Sequence, residues 1–220
     1  MSWFTKKTYP EFWSRYLDHF KKPQEQDLKK LRIVVFDTET TGLDIKKDRI
    51  LSIGCIGISE MKIKVSDQLE CYVEQAYFDY KSVKIHGLLK EGHHTKLTEK
   101  EAIIKFLYYI KDAVLVAHHA AFDIAIINQS LKRLKLSKLK NKVVDTGRLY
   151  LKTAKDQTST HHSLDALANQ LQIPLHDRHT ASGDAYITAL LFLKLIKRLP
   201  KQHHHTLKEV SKNPLKIGLL

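Results

Sequence analysis

Cysteine is nearly absent from this chain: Cys55 and Cys71 are the only two in 220 residues. They stand sixteen positions apart with no companion pairs, which excludes a disulfide framework or a zinc knuckle and fits a reducing compartment, with the cytoplasm expected. Long apolar runs are missing as well. The N-terminal aromatics Trp3, Phe4, Tyr9, Phe12 and Trp13 are interrupted by charge, unlike the core of a signal peptide, and no stretch approaches a membrane span. Internal repeats and low-complexity segments are also lacking. Acidic residues are scarce relative to basic ones: 24 Asp and Glu face 37 Lys and Arg, leaving a net charge of +13 and a pI near 9.6. Such a surplus points to a polyanionic partner, with nucleic acid ahead of an anionic membrane. What is present is enough for a core. Hydrophobic residues make up 43%, and the length suits one domain with a modest appendage.

The chain divides into an extension, a core and a tail. In residues 1–30, Phe12, Tyr16 and Phe20 recur every fourth position, which predicts an amphipathic helix. Its aromatic face needs cover, from the core or from another protein. Apolar runs predict strands at 31–37, 49–58 and 62–73, the last two continuing the first as a meander. Thr98-Glu99-Lys100-Glu101 reads as a capping box opening a helix through Phe106, Leu107 and Ile110. A buried strand is expected at 113–117, then a helix carrying Phe122, Ile126, Ile127 and Leu131. A short strand follows at 143–145, with helices over 163–171 and 181–199. Strands first, then alternating helix and strand, imply an α/β architecture with helices on a mixed sheet. Residues 200–220, with His203, His204 and His205, read as a basic, solvated tail suited to holding phosphate backbone.

Four carboxylates and a histidine fall into three blocks. The first is Phe36-Asp37-Thr38-Glu39-Thr40-Thr41-Gly42-Leu43, which closes the apolar run from Leu31. Residues two apart on a strand share a face, so Asp37 and Glu39 point the same way. Paired anions raise each other's pKa and cost stability unless a cation sits between them, and a divalent cation is the economical solution. The second block, Ala117 to Asp123, sets Asp123 near the start of a helix directly after a strand. The third sets His179 and Asp184 five residues apart at the start of the last long helix, among small residues that let a helix approach closely. A charge in such a neighbourhood needs a metal or a partner.

These blocks resemble the DEDDh (DnaQ-like) 3′–5′ exonucleases, the superfamily of the polymerase III proofreading subunit, epsilon. The resemblance rests on VFDTETTGLD at 35–44, IHGL at 85–88, VAHHAAFDIAII at 116–127, VDTGRL at 144–149 and SLDALANQLQIPLHDRHTASGDAYITALLFL at 163–193, covering roughly 31–198. The histidine five residues before the last aspartate marks the DEDDh subgroup. The resemblance implies an RNase H-like domain over 31–199, and the helical extension at 1–30 read from its aromatic spacing lies outside it. It implies that Asp37, Glu39, Asp123 and Asp184 hold two divalent cations, Mg²⁺ or Mn²⁺, with Asp37 bridging both. Hard oxygen donors suit those ions. His179 would take the proton from the attacking water. Thr40, Leu43 and His86 would line the pocket of the 3′-terminal nucleotide.

The implied activity is release of nucleoside 5′-monophosphates from the 3′ end of single-stranded DNA, in proofreading or repair. The same chemistry on RNA, as in relatives of RNase T and oligoribonuclease, is the alternative, because no residue pattern reads a 2′-OH. A third reading is an inert nucleic-acid or polymerase adaptor, against which stands the presence of all five residues. The chain departs from the family in three places. His119 stands where many relatives have Asn, the long C-terminal polymerase-binding segment of epsilon has no counterpart, and the aromatic N-terminal segment is extra. That segment is the candidate docking element for a polymerase or another protein.

Overall fold

Strand β1 (Ile33–Thr40) carries two alternating apolar sets. Ile33 and Val35 join one core cluster, Val34 and Phe36 the other. A strand that is apolar on both faces has to lie between two covering layers. That is its position in the computed structural model, which describes residues 8–75, 95–153, 162–200 and 206–212.

Strands β2 (Ile50–Ser59) and β3 (Lys62–Val73) follow β1 as the expected antiparallel meander. With β4 (Lys96–Leu97), β5 (Val114–Ala117) and β6 (Val143–Asp145) they form a six-stranded sheet in the order β4-β3-β2-β1-β5-β6. β5 pairs in parallel with β1 and β6 with β5, so the carboxyl ends of these three strands finish at one edge. In an open sheet of this kind that edge is where ligands gather.

Helices α1 (Glu11–Asp18), α2 (Glu99–Ile110) and α3 (Ala121–Arg133) cover the Val34 and Phe36 face. The Ile33 and Val35 face is covered by α4 (Thr146–Leu151), α5 (Leu164–Gln170), α6 (Ala181–Arg198) and α7 (Leu207–Ser211). The capping box of α2 forms as its sequence predicts. The Thr98 backbone N–H donates to the Glu101 carboxylate at 2.9 Å, and the Glu101 N–H donates to Thr98 Oγ1 at 3.3 Å. Among the described residues, no helix is long and apolar enough to cross a membrane.

The N-terminal extension packs against the core. Trp13 and Tyr16 are fully buried, whereas Phe12 and Phe20 from the stripe predicted at four-residue spacing are only partly covered. Tyr16 Oη donates to Asn141 Oδ1 at 2.7 Å and accepts from the Lys140 N–H at 2.8 Å, which pins α1 to the segment entering β6. Of the two covers considered for the aromatic face, the core supplies it.

The C-terminal segment departs from the solvated tail expected over 200–220. Thr206 to Lys212 are anchored: Leu207 and Val210 are buried in the core, and Thr206 forms an antiparallel bridge with Asp27. The Leu207 N–H donates to the Gln26 carbonyl at 2.9 Å, and Lys152 Nζ donates to the carbonyls of Glu209 and Val210. Charge dominated the sequence reading of this stretch, whereas two apolar side chains three residues apart, on one side of a short helix, decide its place. His203 to His205 lie outside the described residues.

Truncating Trp13 to Ala is expected to cost about 3–5 kcal/mol, the range for removing a large buried aromatic. Urea unfolding followed by circular dichroism measures this. A loss under about 1 kcal/mol would show that the extension is loosely attached.

Candidate active site

Asp37 and Glu39 continue the Ile33 and Val35 series along β1, so both carboxylates project toward the layer that contains α6. This is the shared face expected from their spacing. A register irregularity between Glu39 and Thr40 ends the regular pairing with β2 just beyond them. Gly54 lies opposite Asp37 in the register, and a Cβ at Gly54 would run into the Ala181 carbonyl and the Ser182 amide. Glycine therefore lets the first turn of α6 lie directly on the sheet beside Asp37. Thr180 starts that helix, its Oγ1 accepting from the Gly183 N–H at 3.1 Å, and Asp184 falls in the first turn. The consequence is a cluster in which Asp37, Glu39 and Asp184 each present an oxygen within 4.8 Å of the others.

Asp123 arrives from the opposite layer, in the first turn of α3 at the end of β5. It is buried, and its Oδ1 accepts from the Thr38 N–H at 3.0 Å and from Thr38 Oγ1 at 2.7 Å. It lies outside the three-carboxylate group, yet close enough that its charge raises the Asp37 carboxyl.

The electrostatics follow from burial and crowding. Burial, then the charges of Asp123, Asp184 and Glu39, push Asp37 well above the usual carboxylate range. Burial, with Asp184 and Asp123 adding to it, pushes Glu39 up to about 7. Asp123 is raised mainly by burial, against which the Thr38 hydrogen bonds act. Burial also raises Asp184, opposed by the hydrogen bond and charge of Arg178 and by His179. Asp184 Oδ1 is buried and has no hydrogen-bond partner among the described residues. Clustered anions and an unpartnered carboxylate oxygen are what a bound cation resolves. The donor set is entirely oxygen and fits Mg²⁺ or Mn²⁺.

His179 sits on the loop leading into α6, exposed to solvent and with φ 64, a left-handed conformation rare for a residue with a side chain. It is near enough to affect the ionisation of both Asp184 and Asp165. Thr40 is nearly buried, and its hydroxyl donates to the Gly42 carbonyl at 2.7 Å. Asp48 braces the turn after it, accepting from Thr41 Oγ1 at 2.8 Å and from the Asp44 N–H at 2.7 Å. Leu43, at the tip, is 84% exposed. His86 lies outside the described residues.

Two sets of contacts escaped the sequence reading. Arg178 donates through Nε and Nη2 to the two oxygens of Asp165, at 2.6 and 2.9 Å, and through Nη1 to Asp184 Oδ2. Its position directly before His179 was the available signal, but the partner that gives it meaning is thirteen residues upstream. The second is the pair His118 and His119, whose Nε2 atoms both lie about 3 Å from the His162 carbonyl and tie the start of α3 to the start of α5. His119 has φ 54, in the left-handed region, where histidine is enriched along with Asn and Asp.

A mixed sheet between helical layers, with carboxylates gathered at its carboxyl edge, is the arrangement of a metal-assisted hydrolase. A sequence profile described as "Exonuclease" (RNase T) matches residues 34–192. The chain is 31% identical over 181 residues to the DNA polymerase III subunit epsilon of Treponema pallidum, covering 82% of this chain and 84% of that one. It is 35% identical over 179 residues to the PolC-type DNA polymerase III of Caldanaerobacter subterraneus subsp. tengcongensis, covering 81% of this chain but only 12% of that polymerase. Among solved structures, E. coli Exonuclease I in complex with a dT13 oligonucleotide superposes with a TM-score of 0.65 at 16% identity, over 77% of this chain and 42% of that one. The chain belongs to the exonuclease family of the DnaQ-like superfamily, with an RNase H-like fold, and is a nuclease.

Gly54→Ala is expected to lift the start of α6 from the sheet, costing about 1–3 kcal/mol in urea unfolding and lowering hydrolysis in parallel. Normal activity would show that the helix start tolerates displacement. A second test follows from Glu39. A carboxyl raised in the folded state from 4.5 to about 7 stabilises the fold below its ordinary value, and that contribution is lost as pH rises through about 7. The melting temperature gained on adding Mg²⁺ over EDTA should therefore increase from pH 5.5 to pH 8. A pH-independent gain would mean that these carboxyls do not titrate in this window.

Proposed function

We propose that this chain is a 3′–5′ exonuclease that removes nucleoside 5′-monophosphates one at a time from single-stranded DNA. The observation that carries the reading is the grouping of Asp37, Glu39 and Asp184, with Asp123 beside them and His179 on the adjoining loop. These four carboxylates would hold two divalent cations, Mg²⁺ or Mn²⁺. Such a pair of ions, when bound, supplies charge stabilisation to the attacking and leaving oxygens of an in-line displacement at phosphorus. The protein's own part is to orient and to move protons. Thr38 holds one oxygen of Asp123, so that carboxylate approaches with a fixed orientation. His179, exposed beside the cluster, accepts the proton of the attacking water. Leu43, exposed on a braced turn, would pack against the terminal base, and the nearly buried Thr40 would line the same pocket. The surplus of basic residues serves the phosphate backbone.

Support for DNA over RNA comes from the relatives, an epsilon subunit and a PolC-type enzyme of DNA polymerase III. Proofreading beside a polymerase, or repair, is the corresponding setting. Trp13 and Tyr16 are already buried, so a polymerase would meet the polar side of residues 8–30. RNA remains the second substrate to test.

Matched single-stranded DNA and RNA, labelled at the 5′ end, should be shortened stepwise from the 3′ end in Mg²⁺ or Mn²⁺ and left intact in EDTA. Asp37→Ala should abolish this while the fold persists. DNA should be the faster substrate. His179→Ala should lower the rate about 100-fold or more, with metal binding retained. Turnover surviving in Asp37→Ala, or faster cleavage of RNA, would overturn the corresponding part of the proposal.

A further inference from the structure

The Arg178 side chain is largely covered, and its guanidinium donates to two carboxylates. Nε and Nη2 form a two-pronged contact with Asp165 on α5, and the remaining arm, Nη1, reaches Asp184 Oδ2 on α6. Asp184 is 7% exposed, and its two oxygens are treated differently: Oδ2 is held by Arg178, while the buried Oδ1 has no hydrogen-bond partner among the described residues. A carboxylate gripped by one oxygen loses its rotational freedom and presents the other in a fixed direction. The anchoring on Asp165 matters for the charge as well. A guanidinium already matched by one carboxylate opposes a nearby divalent ion much less than a free one would.

The loop between the two carboxylates is seated just as firmly. Thr180 Oγ1 donates to the Asp177 carbonyl at 2.7 Å, and a Cβ at Gly183 would run into that same carbonyl. His179 projects from this loop, next to Arg178 in the chain.

We propose that Arg178 is a positioning residue, braced on Asp165, that fixes Asp184 so that its free oxygen serves as a cation ligand, and that holds the loop from which His179 projects. The proposal rests on the metal-site reading above. One side chain thereby links the orientation of a ligand to the placement of the proton acceptor. Lysine cannot replace it, since an ammonium lacks the planar fork needed to grip Asp165 with two arms and Asp184 with a third.

Mn²⁺ affinity, measured on the full chain by the electron paramagnetic resonance of the free ion, tests this without reference to activity. Arg178→Gln and Asp165→Asn should each weaken Mn²⁺ binding about 10-fold or more, as loss of a ligand's supporting partner does. Arg178→Lys should not restore it. The double variant should bind no more weakly than Arg178→Gln alone, because the two residues act as one brace. Circular dichroism in EDTA identifies the variants that fold, and Asp165→Asn with Arg178→Lys suffice if Arg178→Gln does not. Unchanged or tighter binding in folded Arg178 variants, full restoration by lysine, or losses that multiply in the double variant would each overturn the proposal. Absence of Mn²⁺ binding by the unaltered chain would instead overturn the metal-site reading on which it rests.

Discussion

Three carboxylates forced together at the edge of an apolar sheet are the constraint on which the rest of this structure depends. Asp37, Glu39 and Asp184 lie within ligand-sharing distance, with Asp123 close behind, and burial raises all four. Such an arrangement opposes folding, so the surrounding elements have to impose it. They do so through the central position of β1, whose last residues inherit the rigidity of a strand hydrogen-bonded on both sides. Stability is gathered in two apolar layers away from the edge, and the strain is confined to it.

The devices that impose the site are mostly small. Gly54 removes the side chain that would keep α6 off the sheet, Gly183 does the same for the loop before it, and Thr180 starts the helix so that Asp184 falls in its first turn. Thr38 points away from Asp37, yet through its hydroxyl and backbone N–H it orients the carboxylate that comes from the other layer. Arg178 is the one cation found in hydrogen-bond contact with the cluster among the described residues, and its charge is shared with Asp165. The termini contribute more than their sequences advertise. The extension and the C-terminal segment bridge each other at Asp27 and Thr206, and both place apolar side chains in the layers that support the sheet.

Elements with enough residues to display a period were legible. β1 to β3, α2, α3 and α6 fall where apolar spacing and the Thr98 capping box place them, since alternation and the helical repeat reflect burial directly. β4 has two residues, and α4 and α7 have six and five, too few to establish a repeat. The stripe in the extension was identified, but its most buried member, Trp13, falls between the residues that defined it. The shared face of Asp37 and Glu39 was legible from parity alone.

What the sequence determined by itself is local: strand parity, helix caps, the two-carboxylate face of β1, and motif strings specific enough to identify the superfamily. Only the tertiary structure decided which oxygens converge, that Asp123 is held by Thr38 and sits apart from the closest three, that Arg178 is braced on Asp165, and that Leu207 and Val210 belong to the core. The reason is physical. Backbone geometry and side-chain periodicity act over a few residues and leave a mark in the string, whereas the partner of a buried charge is chosen by packing between elements distant in sequence.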